Sequence, residues 1–353
     1  MERNKVTMKT GNGVFSTVCT KLTDEELNAK SPRPAEDAKK KALNPIRTWL
    51  LCCVAWLVAG VAAQAGSSAG PATNASGAMW PPLLYAAEGA SKILIYDRAG
   101  QIAWEYPAPM ARDVWRLPNG HVLFCYNERY QGHRHDNPSG VMEVTPDKQV
   151  VFHFATTGQV WSCQRLANSN TLVGAASQGK LLEVNPQGVV GKTITVRNPP
   201  GHSCMRYARG LANGHFIVAE ESAGMVREYG ADGACVREFA VAFPPFAAVR
   251  LSDGHTVISG RTAVVEVDAA GKTVWRLDAA EVPQLGIRWF TGIQVLPDGH
   301  LLVCNAGGKV VFFEITRDPA KQIVWQSNIG PSTIPLGHGI QRLDLTDRDP
   351  VDR

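Results

Sequence analysis

A five-residue turn motif recurs along the chain and constrains its fold more than any other feature. The pattern is Leu-x-Asn/Asp-Gly-His, followed by a run of aliphatic or β-branched residues. Successive copies lie 40 to 49 residues apart and are Leu117–His121, Leu166–Asn170 (a variant copy), Leu211–His215, Leu251–His255 and Leu296–His300. Asn-Gly and Asp-Gly between apolar runs predict tight hairpins in which both turn residues take positive φ.

Each copy is followed by a strand with a glutamate, a turn and a final strand that in most copies carries an aromatic residue. The glutamates are Glu143, Glu183, Glu228, Glu266 and Glu314. Four short strands in a repeat of this length are typical of a propeller blade. Residues 83–104 supply the last three strands of a further blade, and residues 338–343 supply its first strand. We therefore predict an all-β, six-bladed β-propeller over residues 81–345, with four-stranded antiparallel blades and one composite blade closed by the C-terminal strand.

The ends of three repeats resemble a known family. Ala99–Trp104, Ala270–Trp275 and Lys321–Trp325 resemble the "aGkxxW" ends of PQQ-like β-propeller repeats, of the quinoprotein-dehydrogenase-like superfamily. Members of that family that use PQQ commonly have eight blades, and many have vicinal cysteines facing the quinone. Here the only vicinal pair, Cys52-Cys53, lies near the N-terminus, so the cofactor is left unknown. The chain is also similar to bacterial arylsulfotransferases, which are exported six-bladed propellers with a catalytic histidine on the axis.

Charge is unevenly distributed along the chain. Residues 1–47 hold ten Lys/Arg and six Asp/Glu, and the remainder holds 26 of each sign. A neutral body argues against nucleic acid as a partner, because phosphate binding needs a basic surface.

An uncharged apolar run, Thr48–Ala63, follows three consecutive lysines and Arg47 and precedes a small-x-small site at Ala63-Gln64-Ala65. This order predicts a secretory signal peptide, or an uncleaved membrane anchor with a cytoplasmic tail. The expected organisation is a basic leader or tail (1–47), the apolar region (48–65), a linker (66–80), the propeller (81–345) and a C-terminal tail (346–353). Both interpretations place the propeller in the periplasm or outside the cell, with membrane contact only through the anchor.

The repeats provide an internal control for function, because a residue type that recurs at one position in every blade is expected to be structural. The histidines after the turn glycines, the glutamates above and the arginines of the first strands recur in this way. We expect Glu–Arg contacts between strands or blades to explain the last two sets. A small-residue position on the second strand accounts for Cys125 and Cys304 as packing residues. The first-strand arginines are Arg116, Arg165, Arg250 and Arg342.

The links after the second and fourth strands lie on one face, which we call the upper face. Several are long, namely 127–140, 197–206, 278–289 and 328–338. Long loops on one face of a rigid scaffold commonly carry binding sites.

Residues that break the repeat pattern in or beside these links are the functional candidates. The catalytic candidates are His202, His338 and Arg206. The ligand-binding candidates are Trp161, Arg288, Trp289, Tyr207 and His135. Arginine suits anion recognition, histidine suits acid–base chemistry, and the rings could stack on a sugar. His133-x-His135-Asp136 has the ligand types of a metal site, but a short motif in a polar loop is a weak signal, and no metal site is predicted.

Two classes of function remain open from the sequence. The first is a binding propeller whose upper funnel takes a small or carbohydrate-like ligand, anionic in one version, or a protein partner. The alternative is an enzyme on the same face, polysaccharide-lyase-like or sulfotransferase-like, that uses His and Arg. A PQQ-dependent oxidoreductase ranks third. The fold itself cannot choose, because propellers host unrelated functions.

Overall fold

The computed structural model describes residues 79–128 and 137–345, which form six four-stranded sheets. Blade I and blade II contain β1 (Leu83–Ala87), β2 (Lys92–Tyr96), β3 (Ile102–Pro107), β4 (Val114–Arg116), β5 (Val122–Asn127), β6 (Pro138–Val144) and β7 (Val150–Thr157). Blade III and blade IV contain β8 (Val160–Arg165), β9 (Thr171–Ala175), β10 (Lys180–Val184), β11 (Val190–Thr195), β12 (Ala208–Gly210), β13 (Phe216–Glu220), β14 (Met225–Tyr229) and β15 (Cys235–Ala240). Blade V and blade VI contain β16 (Pro245–Arg250), β17 (Thr256–Gly260), β18 (Ala263–Val267), β19 (Thr273–Asp278), β20 (Phe290–Val295), β21 (Leu301–Asn305), β22 (Phe312–Ile315) and β23 (Ile323–Gln326).

The last strand, β24 (Ile340–Arg342), completes blade I. It pairs antiparallel with β1, so that Arg342 lies opposite Leu83 and Ile340 opposite Tyr85. All six sheets are antiparallel, and β24 closes the ring in the predicted way. This confirms the six-bladed propeller and its composite blade.

Burial follows the position of a strand within its blade. The second strands β5, β13 and β17 are buried at every residue, whereas the outer strands β7 and β15 alternate between exposed and buried residues. The second strands are sandwiched between neighbouring blades, so both of their faces are apolar, while an outer strand turns one face to solvent. Over the described residues no helix is long and apolar enough to cross a membrane, and the apolar run 48–63 lies outside them.

The repeated hairpin turn differs in detail from the sequence prediction, because only its glycine takes positive φ. Gly120 has φ of 81°, whereas Asn119 is not among the residues with positive φ. The Asn119 side chain instead accepts a hydrogen bond from the His121 amide at 3.0 Å. An ordinary turn followed by a left-handed glycine gives the same reversal. In blade III, which lacks the glycine, Ser169 takes the left-handed conformation with φ of 67°.

The recurring His, Glu and Arg side chains form a ladder around the lower face, where the hairpin turns lie. In blade II, His121 Nδ1 lies 2.7 Å from Glu143 Oε1, and Arg165 of blade III contacts Oε2 at 2.5 Å. Each carboxylate therefore ties a turn of its own blade to the first strand of the next. The same arrangement joins His215, Glu228 and Arg250, and His300, Glu314 and Arg342.

Two blades depart from the ladder pattern. In blade V, Glu266 bonds His255, but its arginine is Arg317, which follows β22 rather than lying on a first strand. In blade III, Glu183 pairs with Lys192 and two asparagines, because Gly210 stands where the next first strand would offer an arginine. The predicted Glu–Arg contacts are thus confirmed for three of the first-strand arginines.

The ladder predicts a stability effect. Replacement of Glu228 by alanine should lower the free energy of unfolding by about 2 kcal/mol, because it leaves the half-buried Arg250 without its carboxylate. Chemical denaturation of the full chain measures this change. Glu105, which is exposed and paired with Lys92, is the matched control, and its alanine variant should change stability much less. Equal effects for the two variants would contradict a structural role for the ladder.

Candidate functional site

Five charged or titratable side chains meet near the propeller axis at the upper face. This axial cluster consists of Glu88, Arg112, Arg206, Glu221 and His338. Glu88 and Glu221 directly follow the second strands β1 and β13. Arg112, Arg206 and His338 lie in the links that lead into the first strands β4, β12 and β24. The ring geometry thus brings together residues from three blades that are far apart in sequence.

Glu88 and His338 form a hydrogen-bonded pair. His338 Nε2 lies 2.7 Å from Glu88 Oε2, and Arg112 Nη2 lies 3.0 Å from Glu88 Oε1. Burial would raise the pKa of Glu88, but the hydrogen bond from His338 and the Arg112 charge lower it to about 2. Burial and the Arg112 charge lower the pKa of His338 to about 4, against the opposing effect of Glu88. At neutral pH the pair is therefore a carboxylate and a neutral imidazole.

The protonation state fixes the role of each imidazole nitrogen. A carboxylate can only accept, so Nε2 carries the proton and Nδ1 presents a lone pair. His338 Nδ1 is buried and has no hydrogen-bond partner among the described residues. This arrangement, in which a carboxylate orients a neutral imidazole, is the one that a general base requires.

Arg206 supplies the strongest unsatisfied donors of the cluster. Its side chain is 3% exposed, and its Nη2 pairs with Glu221 Oε2 at 2.5 Å. Its Nε and Nη1, and the Nε of Arg112, are buried without a hydrogen-bond partner in the described part of the chain. Burial and the neighbouring Arg112 charge lower the pKa of Arg206. Buried N–H groups without acceptors are costly, so these atoms favour a ligand that brings oxygen acceptors.

Aromatic rings enclose the arginines. The Arg112 guanidinium lies 4.1 Å from the Trp161 ring centre, and the Arg206 guanidinium lies 5.8 Å from Trp161 and 5.6 Å from Trp289. Phe246 stacks on the His338 ring, with centres 5.2 Å apart. These rings reduce the access of water and strengthen the electrostatic interactions within the cluster.

A second buried ion pair supports the cluster. Asp113, next to Arg112, accepts two hydrogen bonds from Arg209 at 2.8 and 3.0 Å. Tyr207 donates a hydrogen bond to the Arg112 carbonyl at 2.6 Å, and the Arg209 guanidinium lies 4.4 Å from its ring. The backbone around Arg112 is therefore held from two sides.

The structure places the sequence candidates in three groups. His338, Arg206, Trp161 and Trp289 lie in or against the axial cluster, and Tyr207 supports it. His202 flanks the cluster: its ring meets Trp161 edge-on with centres 5.4 Å apart, and its Nδ1 lies 3.1 Å from Gln159 Oε1. Arg288 is exposed beside Gly307, and its side chain has no hydrogen bond or ion pair with the described residues of the cluster. His135, with the rest of the HxHD motif, lies outside the described residues. Their functional roles remain predictions.

Sequence reasoning missed Glu88, Arg112 and Glu221. Arg112 lies in a short link, so a search for long loops passed over it. One signal was available, because the position directly after the second strand varies from blade to blade. That position holds Glu88, Glu128, Ala176, Glu221, Arg261 and Ala306.

A cleft of about 1020 Å³ opens on the lower face between blades II, III and IV. Gly210 lines it at the first-strand position that holds arginine in other blades, and a Cβ there would lie 2.5 Å from Leu166. Among the charged groups that line it, Glu143 pairs with Arg165 in the ladder and Glu183 pairs with Lys192. Two lower-face groups with metal-ligand types, Asp253-His255-Glu266 and Asp298-His300-Glu314, also belong to the ladder. The axial cluster is therefore the better candidate site.

Comparisons with known proteins identify the fold. No protein-family model and no curated protein matches the sequence. A solved protein of unknown function from Bacteroides caccae is 23% identical with a TM-score of 0.63, over 74% of this chain and 98% of that chain. A streptogramin B lyase structure is 13% identical with a TM-score of 0.53, over 75% and 88%. A Lactobacillus plantarum protein is 10% identical with a TM-score of 0.50, over 75% and 100%. At these identities the similarity supports a β-propeller fold and gives no information on activity.

The Glu88–His338 pair predicts a specific pH dependence. The pKa of His338 is lowered from 6.5 to about 4. Between pH 6.5 and pH 4 this histidine is therefore protonated in the unfolded chain and neutral in the folded chain. The contribution of this histidine to stability is present above pH 6.5 and is lost as the pH falls towards 4. Glu88, with its pKa lowered from 4.5 to about 2, adds a further loss below pH 4.5.

Replacement of His338 by glutamine should flatten the stability profile between pH 6.5 and 4, because glutamine does not titrate. Urea unfolding of the full chain at a series of pH values measures the difference between variant and wild type. Contributions of the ladder histidines cancel in this difference. Parallel profiles for the two proteins would show that His338 is not held neutral.

Proposed function

We propose that the axial cluster binds a small ligand that carries an acidic group and a hydroxyl group, as an acidic sugar does. The observation that carries the proposal is the set of buried, unpaired N–H groups of Arg112 and Arg206 beside the unpaired Nδ1 of His338. The arginines favour a carboxylate, sulfate or phosphate oxygen. The His338 lone pair favours a hydroxyl donor.

The aromatic rings support a cyclic ligand. Trp161 and Trp289 both lie within 6 Å of the Arg206 guanidinium. The indole Nε1 of Trp289 is a further buried donor without a partner among residues 79–128 and 137–345. Rings with a polar edge are common in sites that bind sugars, because the sugar presents both apolar faces and hydroxyls.

The proposal includes export. The apolar segment 48–65 and the basic residues before it favour a signal peptide or anchor, with residues 66–80 as a linker to the propeller. A protein outside the cytoplasm would meet acidic oligosaccharides and their fragments. A protein partner at the same face is the competing ligand class.

The binding proposal is tested with the full chain by calorimetric titration of galacturonic acid, with galactose as the neutral match. We expect the acid to bind and galactose to bind at least tenfold more weakly, because only the acid pairs with the arginines. Arg206→Gln should weaken acid binding by about tenfold or more. Arg98→Gln, which changes an exposed arginine paired with Asp344, should leave binding unchanged.

Further probes define the ligand class. Titrations with 4-nitrophenyl sulfate and with PQQ plus calcium test ligands of the two families that the sequence resembles, the arylsulfotransferases and the PQQ-like propellers. Tighter binding of either probe than of galacturonic acid would replace the acidic-sugar proposal, and equal binding of galactose and galacturonic acid would reject the role of the arginines.

A second candidate function, proton abstraction by a lyase-like enzyme, is favoured by the Glu88–His338 pair. His338 Nδ1 would remove the proton from the carbon next to the carboxylate of a bound uronate, while Arg112 and Arg206 balance the developing negative charge. A C=C bond forms as the bond from the β-carbon to the glycosidic oxygen breaks, and the leaving oxygen takes a proton from solvent. We expect the full chain to release unsaturated products from an acidic oligosaccharide such as oligogalacturonate. His338→Gln should reduce this rate by at least a hundredfold while binding persists. Ligand binding without product formation by the wild type would leave the protein in the binding class.

A further inference from the structure

Two buried cysteines meet across one seam of the ring. Cys125 lies on β5 of blade II and Cys163 on β8 of blade III, and both are 0% exposed. Burial, and then contact with the Cys125 thiol, raise the pKa of the Cys163 thiol, and both cysteines are free thiols in the structure. Both belong to the apolar cluster that fills the space between these two blades.

The fold explains why the two sulfurs face each other. The small position on the second strand points across the seam to the chain that enters the next blade. In blade V, Ser259 at this position bonds the Thr291 carbonyl at 2.5 Å, and in blade VI Cys304 bonds the Gly337 carbonyl at 3.5 Å. At the seam between blades II and III the same position meets a second sulfur.

One residue holds the two cysteine backbones together. The Cys125 amide donates to the Asp113 carbonyl at 3.2 Å, and the Cys163 amide donates to Asp113 Oδ2 at 3.0 Å. Asp113 is itself held by Arg209. The separation of the two strands at this point is therefore set by hydrogen bonds to the Asp113 carbonyl and carboxylate, in addition to side-chain packing.

We propose that Cys125 and Cys163 are a disulfide-forming pair that joins blade II to blade III when the chain folds in an oxidising compartment. Two S–H bonds break and one S–S bond forms. The two electrons reduce the disulfide of an oxidant, such as glutathione disulfide or a thiol–disulfide oxidoreductase, to its thiols, and the sulfur-bound protons pass to solvent or to the released thiolates.

The burial of the Cys163 thiol determines when the disulfide can form. Burial raises the pKa of the Cys163 thiol well above its usual range, so little thiolate exists once the ring is closed, and thiolate is the reactive species. The bond therefore forms while the seam is still open. Once formed, it closes a loop that includes β6 and β7 and restricts the unfolded chain.

The test maps cysteines in the wild-type full chain. The chain is unfolded, reduced, refolded in a glutathione redox buffer, denatured in N-ethylmaleimide, digested and analysed by mass spectrometry. We expect a linked peptide pair that contains Cys125 and Cys163, whereas Cys204, Cys235 and Cys304 are alkylated. Alkylation of Cys125 and Cys163 to the same extent as Cys304 would overturn the proposal, as would a link of either to another cysteine.

Matched variants and a stability measurement complete the test. Cys125→Ser should abolish the link, and it introduces the residue that blade V already has at this position. Cys304→Ser should retain the link. The midpoint of thermal unfolding should be about 5 °C or more higher for the oxidised wild type than for the reduced wild type. Equal midpoints would contradict a disulfide that restricts the unfolded chain. The peptide map of the wild type shows whether the disulfide forms, even if a variant fails to fold.

Discussion

The pairing of β24 with β1 is the interaction on which both the fold and the candidate site depend. It joins the two ends of the propeller and leaves blade I complete. The link before β24 carries His338, and the turn after β1 carries Glu88. Backbone hydrogen bonds from the Ala86 amide to the Gly339 carbonyl at 2.9 Å and from the His338 amide to the Ala86 carbonyl at 3.1 Å extend the pairing to these residues. Closure of the ring thus builds the histidine–carboxylate pair directly, and an open ring would lack both a sealed edge and this pair.

The fold was predictable because the same local sequence pattern repeats from blade to blade. The turn motif and the ladder glutamate recur in five blades, the small second-strand residue recurs in all six, and these patterns support one interpretation. Local geometry was less predictable. The turn around Asn119 needs only one left-handed residue, because the asparagine side chain stabilises the first part of the turn. Blade V shows a different limit, since Glu266 takes Arg317 from an outer turn, and sequence spacing alone gives no reason to choose this arginine.

The candidate site was only partly predictable, for a physical reason. His338, Arg206, Trp161 and Trp289 broke the repeat pattern and could be selected for that. Arg112 could not, because it lies in a short link and its importance depends on the residues that closure brings to it. The other residues of the site come together only across the ring, and no local sequence pattern encodes the distances between them. The structure also separates Arg288, which is exposed, from Arg206, which is buried, although both lie in long loops.

The charges of the axial cluster decide what kind of recognition it can perform. Two arginines face two glutamates, and His338 is neutral, so the cluster has little net charge with which to attract an anion from a distance. The preference that we propose for an acidic group rests instead on donors that the carboxylates do not engage. Glu88 and Glu221 engage one terminal nitrogen of each arginine, whereas Arg206 Nε and Nη1 and Arg112 Nε have no hydrogen-bond partner among the described residues. Such a site selects by hydrogen-bond geometry at short range. The glutamates fix the guanidinium groups before a ligand arrives, which lowers the entropy lost on binding. The same carboxylate that positions Arg112 also orients His338, so Glu88 links the arginine side of the cluster to the histidine.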